Sequence, residues 1–223
     1  MIRIVDAIGP GFESEEEINQ EIEKSSKEAI WGIELRADIL SKLKQKIHLE
    51  ELAEKCREHN LMTIITNASF NETILNLADY ASIEIDEFEK YKNLDFSRTK
   101  LIVSYHNYEE TPKKHVLERK YNEIKEISPY IAKIVTKANK YEDNFLIYDL
   151  IIKAREEEQE IIGLCMGEKG SVSRIQAPLF GSFLTFACVD KQRATAPGQL
   201  TVREMKQIYG LLNVDINKKE SLT

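Results

Sequence analysis

A chain of 223 residues with 42% hydrophobic and 31% charged side chains has an ordinary globular composition and the length of one large domain or two small ones. Its net charge of −7, with both signs mixed along the chain, argues against a nucleic-acid partner, and no apolar run approaches the ~20 residues of a membrane span. The N-terminal stretch turns acidic without a signal-peptide core, and Cys56, Cys165 and Cys188 are widely spaced, so reduced thiols in a cytoplasmic protein are expected.

The first strand is predicted over 2–8, "IRIVDAI". Ser14 with Glu17 three residues later reads as a capping box opening a helix over 14–29, with Ile18, Ile22 and Ala29 on one face. A second strand follows at 31–37, "WGIELRA". Leu49, Leu52, Ala53 and Cys56 then repeat at helical spacing over 49–59, and Asn60 is suited to end that helix. Strands at 61–66, 81–86 and 100–106 come next, with a weaker helix at 71–79. Thr111 as N-cap and Pro112 in the first turn predict a helix over 113–127. Strands at 130–136, 161–167 and 181–188 alternate with helices at 141–158 and 202–213.

Most of these strands are near-continuous apolar runs, as parallel strands covered on both faces require. Eight β/α repeats without a Pro/Gly/Ser-rich linker predict one (β/α)8 barrel domain over 1–215, followed by a polar tail at 216–223. The alternative is a doubly wound open sheet, against which stands the lack of a GxGxxG fingerprint after an early strand.

In such a barrel the chemistry gathers at the C-terminal ends of the strands. Glu34 and Arg36 lie there two residues apart, followed by Asp38, and either serve a ligand or form a structural ion pair. Glu84 and Asp86 share a face of the fourth strand, and Glu84 also fits a solvated strand end. His106 ends the fifth strand, as a proton carrier or as a satisfied core histidine. "MGEKGSVSR", ending in Arg174, follows the seventh strand where barrels often hold phosphate or carboxylate, and "RATAPGQL", with Thr195 and Gln199, follows the eighth. The four histidines form no convincing metal-ligand pair.

Lys133 is the hardest of these to make bland, because it stands in the middle of the apolar strand "YIAKIVT". Burying an ammonium there is costly, and a desolvated lysine has a lowered pKa. Its neutral amine can attack a ketone to form a Schiff base. A neighbouring histidine can then move the acidified proton, and an arginine such as Arg174 can fix a substrate carboxylate. Lys137 reads as a surface residue. The residues alone thus indicate a lysine-dependent lyase or aldolase acting on a small keto acid.

Taken in order, "ELRAD" at 34–38, "SYHNYEETP" at 104–112, "AKIVTKA" at 132–138, "MGEKGSVSR" at 166–174, "FGSFLTFA" at 180–187 and "TAPGQL" at 195–200 resemble the type I 3-dehydroquinate dehydratase family. The resemblance implies a (β/α)8 barrel, commonly a homodimer, with no metal or organic cofactor. It implies that Lys133 forms the Schiff base with 3-dehydroquinate and that His106 is the general base and acid. It further implies that Arg174 holds the substrate carboxylate and that Thr195 and Gln199 belong to a closing loop. Glu34 and Arg36 would contact ring hydroxyls, and the product of syn elimination would be 3-dehydroshikimate.

There are departures from the family pattern. Ile65 stands where a third-strand arginine is usual, and the best match to a histidine-orienting glutamate is Asp86, one methylene shorter. Another Schiff-base barrel of the aldolase type, or a non-catalytic barrel binding a shikimate-like acid, are the alternatives.

Overall fold

In the computed structural model, which describes residues 1–28, 30–43 and 46–216, the apolar runs become eight parallel strands. They are β1 (Ile4–Ile8), β2 (Gly32–Arg36), β3 (Met62–Thr66), β4 (Tyr80–Glu84), β5 (Lys100–Asn107), β6 (Ile131–Lys137), β7 (Glu160–Met166) and β8 (Thr185–Ala187). From β1 to β7 each pairs with its sequence neighbour, and β1 also pairs β8. Between β7 and β8 the ring is completed by the Phe183 N–H donating to Ile161 O at 2.7 Å and the Gly163 N–H donating to Ser182 Oγ at 3.2 Å. The architecture is the (β/α)8 barrel expected from the repeats.

The helices are α1 (Glu15–Lys27), α2 (Ala37–Leu40), α3 (Leu49–Glu58), α4 (Glu72–Leu75), α5 (Lys114–Glu126), α6 (Asp143–Glu156), α7 (Ser173–Phe180) and α8 (Val202–Leu211). Ser14 caps α1 through the Glu17 N–H as expected, but the Glu17 carboxylate accepts from Glu13 N rather than closing the box on Ser14. Asn60 takes φ 55°, the left-handed conformation that ends α3. Thr111 does not cap α5. Its hydroxyl donates to Lys137 O at 3.0 Å and meets Thr136 Oγ1 at 2.8 Å, tying the β5–α5 loop to the end of β6.

Three further expectations are corrected. The fourth crossover has no α-helix among the described residues, only a 3-10 helix over Ile85–Lys90. The weak helix at 71–79 shrinks to α4. Helix α7 was not foreseen, because glycines precede it and Pro178 interrupts its short pattern. Proline cannot donate to the carbonyl four residues back. That carbonyl, Arg174 O, instead accepts from Thr185 Oγ1 at 2.8 Å and Tyr209 Oη at 3.3 Å. Ile216, assigned to the tail, bridges Ile2 in parallel, while 217–223 and Ala29 lie outside the described residues.

The barrel is stoppered at its N-terminal end by one aromatic from each even unit: Trp31, Tyr80, Tyr130 and Phe183. Their ring centroids are 5.5–6.3 Å apart. Such alternate-strand layers are how these barrels fill their axis. Arg3 and Lys100 lie against the rings, 4.3 Å from Phe183 and 4.4 Å from Tyr130. No described helix is long and apolar enough to cross a membrane.

Candidate active site

Strand alternation sends Glu34 from β2 and Lys133 from β6 into the barrel, where they meet across it. Lys133 Nζ donates to Glu34 Oε1 at 3.2 Å, and both residues are about 95% buried (5% and 4% exposed). Thr66 Oγ1 donates to the same oxygen at 2.8 Å. Burial alone pushes the Glu34 carboxyl up, but Lys133 and Arg36 outweigh it and hold the group below its ordinary range. Lys133 Nζ also lies 4.6 Å from the centre of the Phe186 ring on β8. The lysine is thus buried beside a carboxylate, neither snorkelling to solvent nor alone.

Arg36 does not pair with Glu34. Its guanidinium makes two parallel bonds to Asp38, at 3.0 and 2.8 Å, and these keep it charged despite partial burial. The structural pair weighed for Glu34 and Arg36 is therefore two separate pairs. The third-strand position facing the interior is likewise not Ile65 but Thr66. Thr63, which shares the parity of Ile65, bonds the Cys56 thiol of α3 outside the barrel, and Ile65 is packed in the core.

On β5, next to β6, His106 is the penultimate residue, with Nδ1 against Glu84 Oε1. The same oxygen accepts from Ser104 Oγ at 3.0 Å. Burial raises the Glu84 carboxyl, but the His106 and Ser104 contacts win and keep it ionised. The histidine-orienting carboxylate is therefore Glu84, and the expectation for Asp86 is corrected. Strand β4 ends at Glu84, the chain turns into the 3-10 helix, and Asp86 is exposed on it. Tyr108 lies parallel to the His106 ring at 5.7 Å.

Arg174 is in the first turn of α7, 3% exposed. Its Nη1 donates weakly to Phe186 O at 3.4 Å, its Nε has no partner, and no described carboxylate lies within ion-pair range. Burial pushes it down to about 10, still charged at neutral pH. A buried cation with open donors is suited to an anionic ligand.

Over this end runs the segment from β8 to α8. Gln199 is 1% exposed, donates to Ala187 O at 2.7 Å and accepts from Thr195 N at 2.7 Å and Thr195 Oγ1 at 3.2 Å. Its amide is committed within the loop, so it sets the loop's shape. The Pro197 carbonyl accepts from Gly167 N at 3.1 Å, and a Cβ on Gly198 would collide with the Gly167 carbonyl. The described cluster with metal-ligand spacing, Glu15, His48 and Glu51, lies at the N-termini of α1 and α3 and includes none of these interior residues.

An amine, a histidine–carboxylate pair and an open guanidinium in one barrel mouth are equipped for imine formation, proton transfer and carboxylate binding. A family model for type I 3-dehydroquinase matches residues 68–216. A 3-dehydroquinate dehydratase of Methanococcus maripaludis strain C7 is 34% identical over 211 residues, covering 84% of this chain and 92% of that protein. The Methanocaldococcus jannaschii 3-dehydroquinate dehydratase is 38% identical over 157 residues, 65% of this chain and 69% of that one. Among solved structures, the 3-dehydroquinate dehydratase of Aquifex aeolicus superposes with a TM-score of 0.76 at 26% identity, covering 94% of this chain and 98% of that one. That of Geobacillus kaustophilus shares the fold with a TM-score of 0.83 at 21% identity, covering 96% and 91%. The chain belongs to the type I 3-dehydroquinase family.

Proposed function

We propose that this chain removes water from 3-dehydroquinate to give 3-dehydroshikimate, a step of the shikimate pathway, through an imine on Lys133. The observation that carries the reading is the convergence, at one barrel end, of the Lys133–Glu34 pair, the Glu84–His106 pair and Arg174, which has no carboxylate partner among the described residues. Arg174 fixes the carboxylate, and Glu34 and Arg36 face the ring hydroxyls. The loop bearing Thr195 and Gln199 covers the ligand.

Attack requires the lone pair of a neutral amine, so the proton on Lys133 leaves first, with Glu34 the nearest acceptor. The amine adds to the C3 carbonyl and water departs, leaving an iminium. His106, held by Glu84, takes a proton from C2, and the electron pair moves to the C2–C3 bond as the nitrogen is neutralised. The imidazolium then protonates the C1 hydroxyl. That group leaves as water while the pair from nitrogen restores the iminium, now conjugated with C1–C2. Hydrolysis returns the amine and the enone, for a net loss of one water. One imidazole serving both transfers reaches one face of the ring, which makes the elimination syn.

The test is Lys133→Arg beside Lys133→Ala. Arginine keeps a cation on Glu34 but forms no imine, whereas alanine also strands a buried carboxylate and lowers stability. Both variants are expected to lose at least about 10³-fold in kcat, read from the ultraviolet absorbance of the conjugated enone. Near-normal turnover by either folded variant contradicts the proposal.

The reading extends to a homodimer in the cytoplasm. Phe145 and Ile152 crest α6 beside Leu179 and Phe180 of α7, all at least 40% exposed, an apolar face suited to a second copy. Light scattering is expected to give twice the 25.8 kDa chain mass, and the single-chain mass contradicts it. The three cysteines are buried and unpaired, which fits a reducing compartment.

A further inference from the structure

We infer that Arg193 is a positioning residue, a latch that holds the β8–α8 loop closed by clamping it to the β1–α1 loop and α1. This rests on the dehydratase reading for its kinetic readout, but not for its structural one.

The loop needs an anchor on each side of the barrel mouth. On the β7 side it has the Gly167–Pro197 hydrogen bond. On the β1 side, the Arg193 guanidinium carbon lies 4.2 Å from the centre of the Phe12 ring. Its Nη2 is 3.4 Å from Glu17 Oε2, and its Nη1 is 4.0 Å from Glu21 Oε2. Glu21 is only 2% exposed, and its charge also bears on the buried Asp6 carboxyl. The α1 surface therefore offers a carboxylate that water hardly reaches; its Oε2 accepts from Lys24 at 3.4 Å, and Arg193 approaches the same oxygen from the loop side. An ordinary exposed ion pair has no such preference for one geometry.

The receiving surface is shaped to match. "GPGF" at 9–12 has no part in the proposed chemistry. A Cβ on Gly9 would come 3.1 Å from Thr195 Cγ2, so a larger residue there would push the Thr195 segment away. Gly11 takes φ +88°, and a Cβ there would meet Arg193 Cγ at 3.6 Å, so the turn lies directly against the arginine. Arg193 is two residues from Thr195, and through Thr195 its position reaches Gln199. Breaking the latch should leave the reacting groups intact but lower the fraction of closed loops, which weakens apparent substrate binding by that same fraction.

The test uses the full chain with Arg193→Met, Arg193→Lys and Glu17→Gln. Hydrogen exchange of the 194–200 peptide is followed by mass spectrometry, and KM and kcat for 3-dehydroquinate are measured on the same preparations. Arg193→Met is expected to speed exchange in that peptide by roughly tenfold and to raise KM several-fold, with kcat within about twofold. Arg193→Lys is expected to recover most of both effects, and Glu17→Gln, which leaves Arg193 in place, to show a smaller change of the same sign. Unchanged exchange in Arg193→Met overturns the latch whether or not the protein turns substrate over. Faster exchange with an unaltered KM in an active enzyme overturns its positioning role. Faster exchange in a protein without dehydratase activity upholds the latch and overturns the reaction assignment instead.

Discussion

A guanidinium buried to 3% exposure with an open Nε ought to weaken the fold that contains it, and Arg174 is kept there all the same. Replacing it with an apolar side chain of similar length should remove that cost along with the proposed carboxylate site. Arg174→Met is therefore expected to melt no lower than the wild type while KM rises by at least about 10²-fold, the scale of a lost charge-assisted contact. A large fall in melting temperature with little change in KM contradicts a ligand-binding role. Glu84 and Asp86 make a matched pair of tests. Glu84→Gln is expected to lower kcat by about 10–10²-fold, since the imidazole loses its charged partner, and Asp86→Asn to change it less than twofold. Equal effects from the two substitutions contradict the assignment.

Asp6 supplies a prediction for stability. Burial, together with the like charge of Glu21, pushes its carboxyl up to about 7 against hydrogen bonds from Ser25 and the Val189 N–H. From about pH 4 to 7 the unfolded chain has released this proton and the folded chain still holds it. Stability from this group is thus complete below pH 4 and falls by about 1.4 kcal/mol per pH unit until pH 7. Asp6→Asn deletes the titration, so its urea midpoint is expected to fall less between pH 5 and 7.5 than the wild type's. Parallel midpoints contradict the buried, protonated state of Asp6.

At the scale of elements, what the sequence made legible followed from local rules. Long apolar runs marked all eight strands, and position alone singled out three interior residues: Glu34 and His106 toward strand C-terminal ends and Lys133 as a charge inside an apolar strand. What it hid depended on where strands end and on which neighbours they meet. Glu84 and Asp86 have the same parity, and only the early end of β4 separates the half-buried carboxylate on His106 from the exposed one. The displaced Ile65–Thr66 assignment is a one-residue error that turns a position from the inside of the barrel to the outside. Helix α7 was hidden because Pro178 reads as a breaker, whereas Thr185 and Tyr209 take over the carbonyl it leaves free. Tyr209→Phe is accordingly expected to cost about 1–2 kcal/mol in a denaturant titration, and an unchanged midpoint contradicts that role.

For the whole molecule, the division of labour runs along the barrel axis. The N-terminal end is closed by the Trp31–Tyr80–Tyr130–Phe183 layer, and chain ends meet near it through Ile2 and Ile216. The C-terminal end gathers charges that are costly to bury: Lys133 with Glu34, His106 with Glu84, and Arg174 with no carboxylate partner among the described residues. The proposed covalent intermediate on Lys133 would account for all three. The most direct measurement is borohydride reduction of the wild-type protein during turnover of 3-dehydroquinate, followed by peptide mass mapping. The expected result is one reduced ligand on the peptide containing Lys133 and irreversible loss of activity. An unmodified Lys133 in protein that still dehydrates the substrate, or an adduct on another lysine, contradicts the central claim.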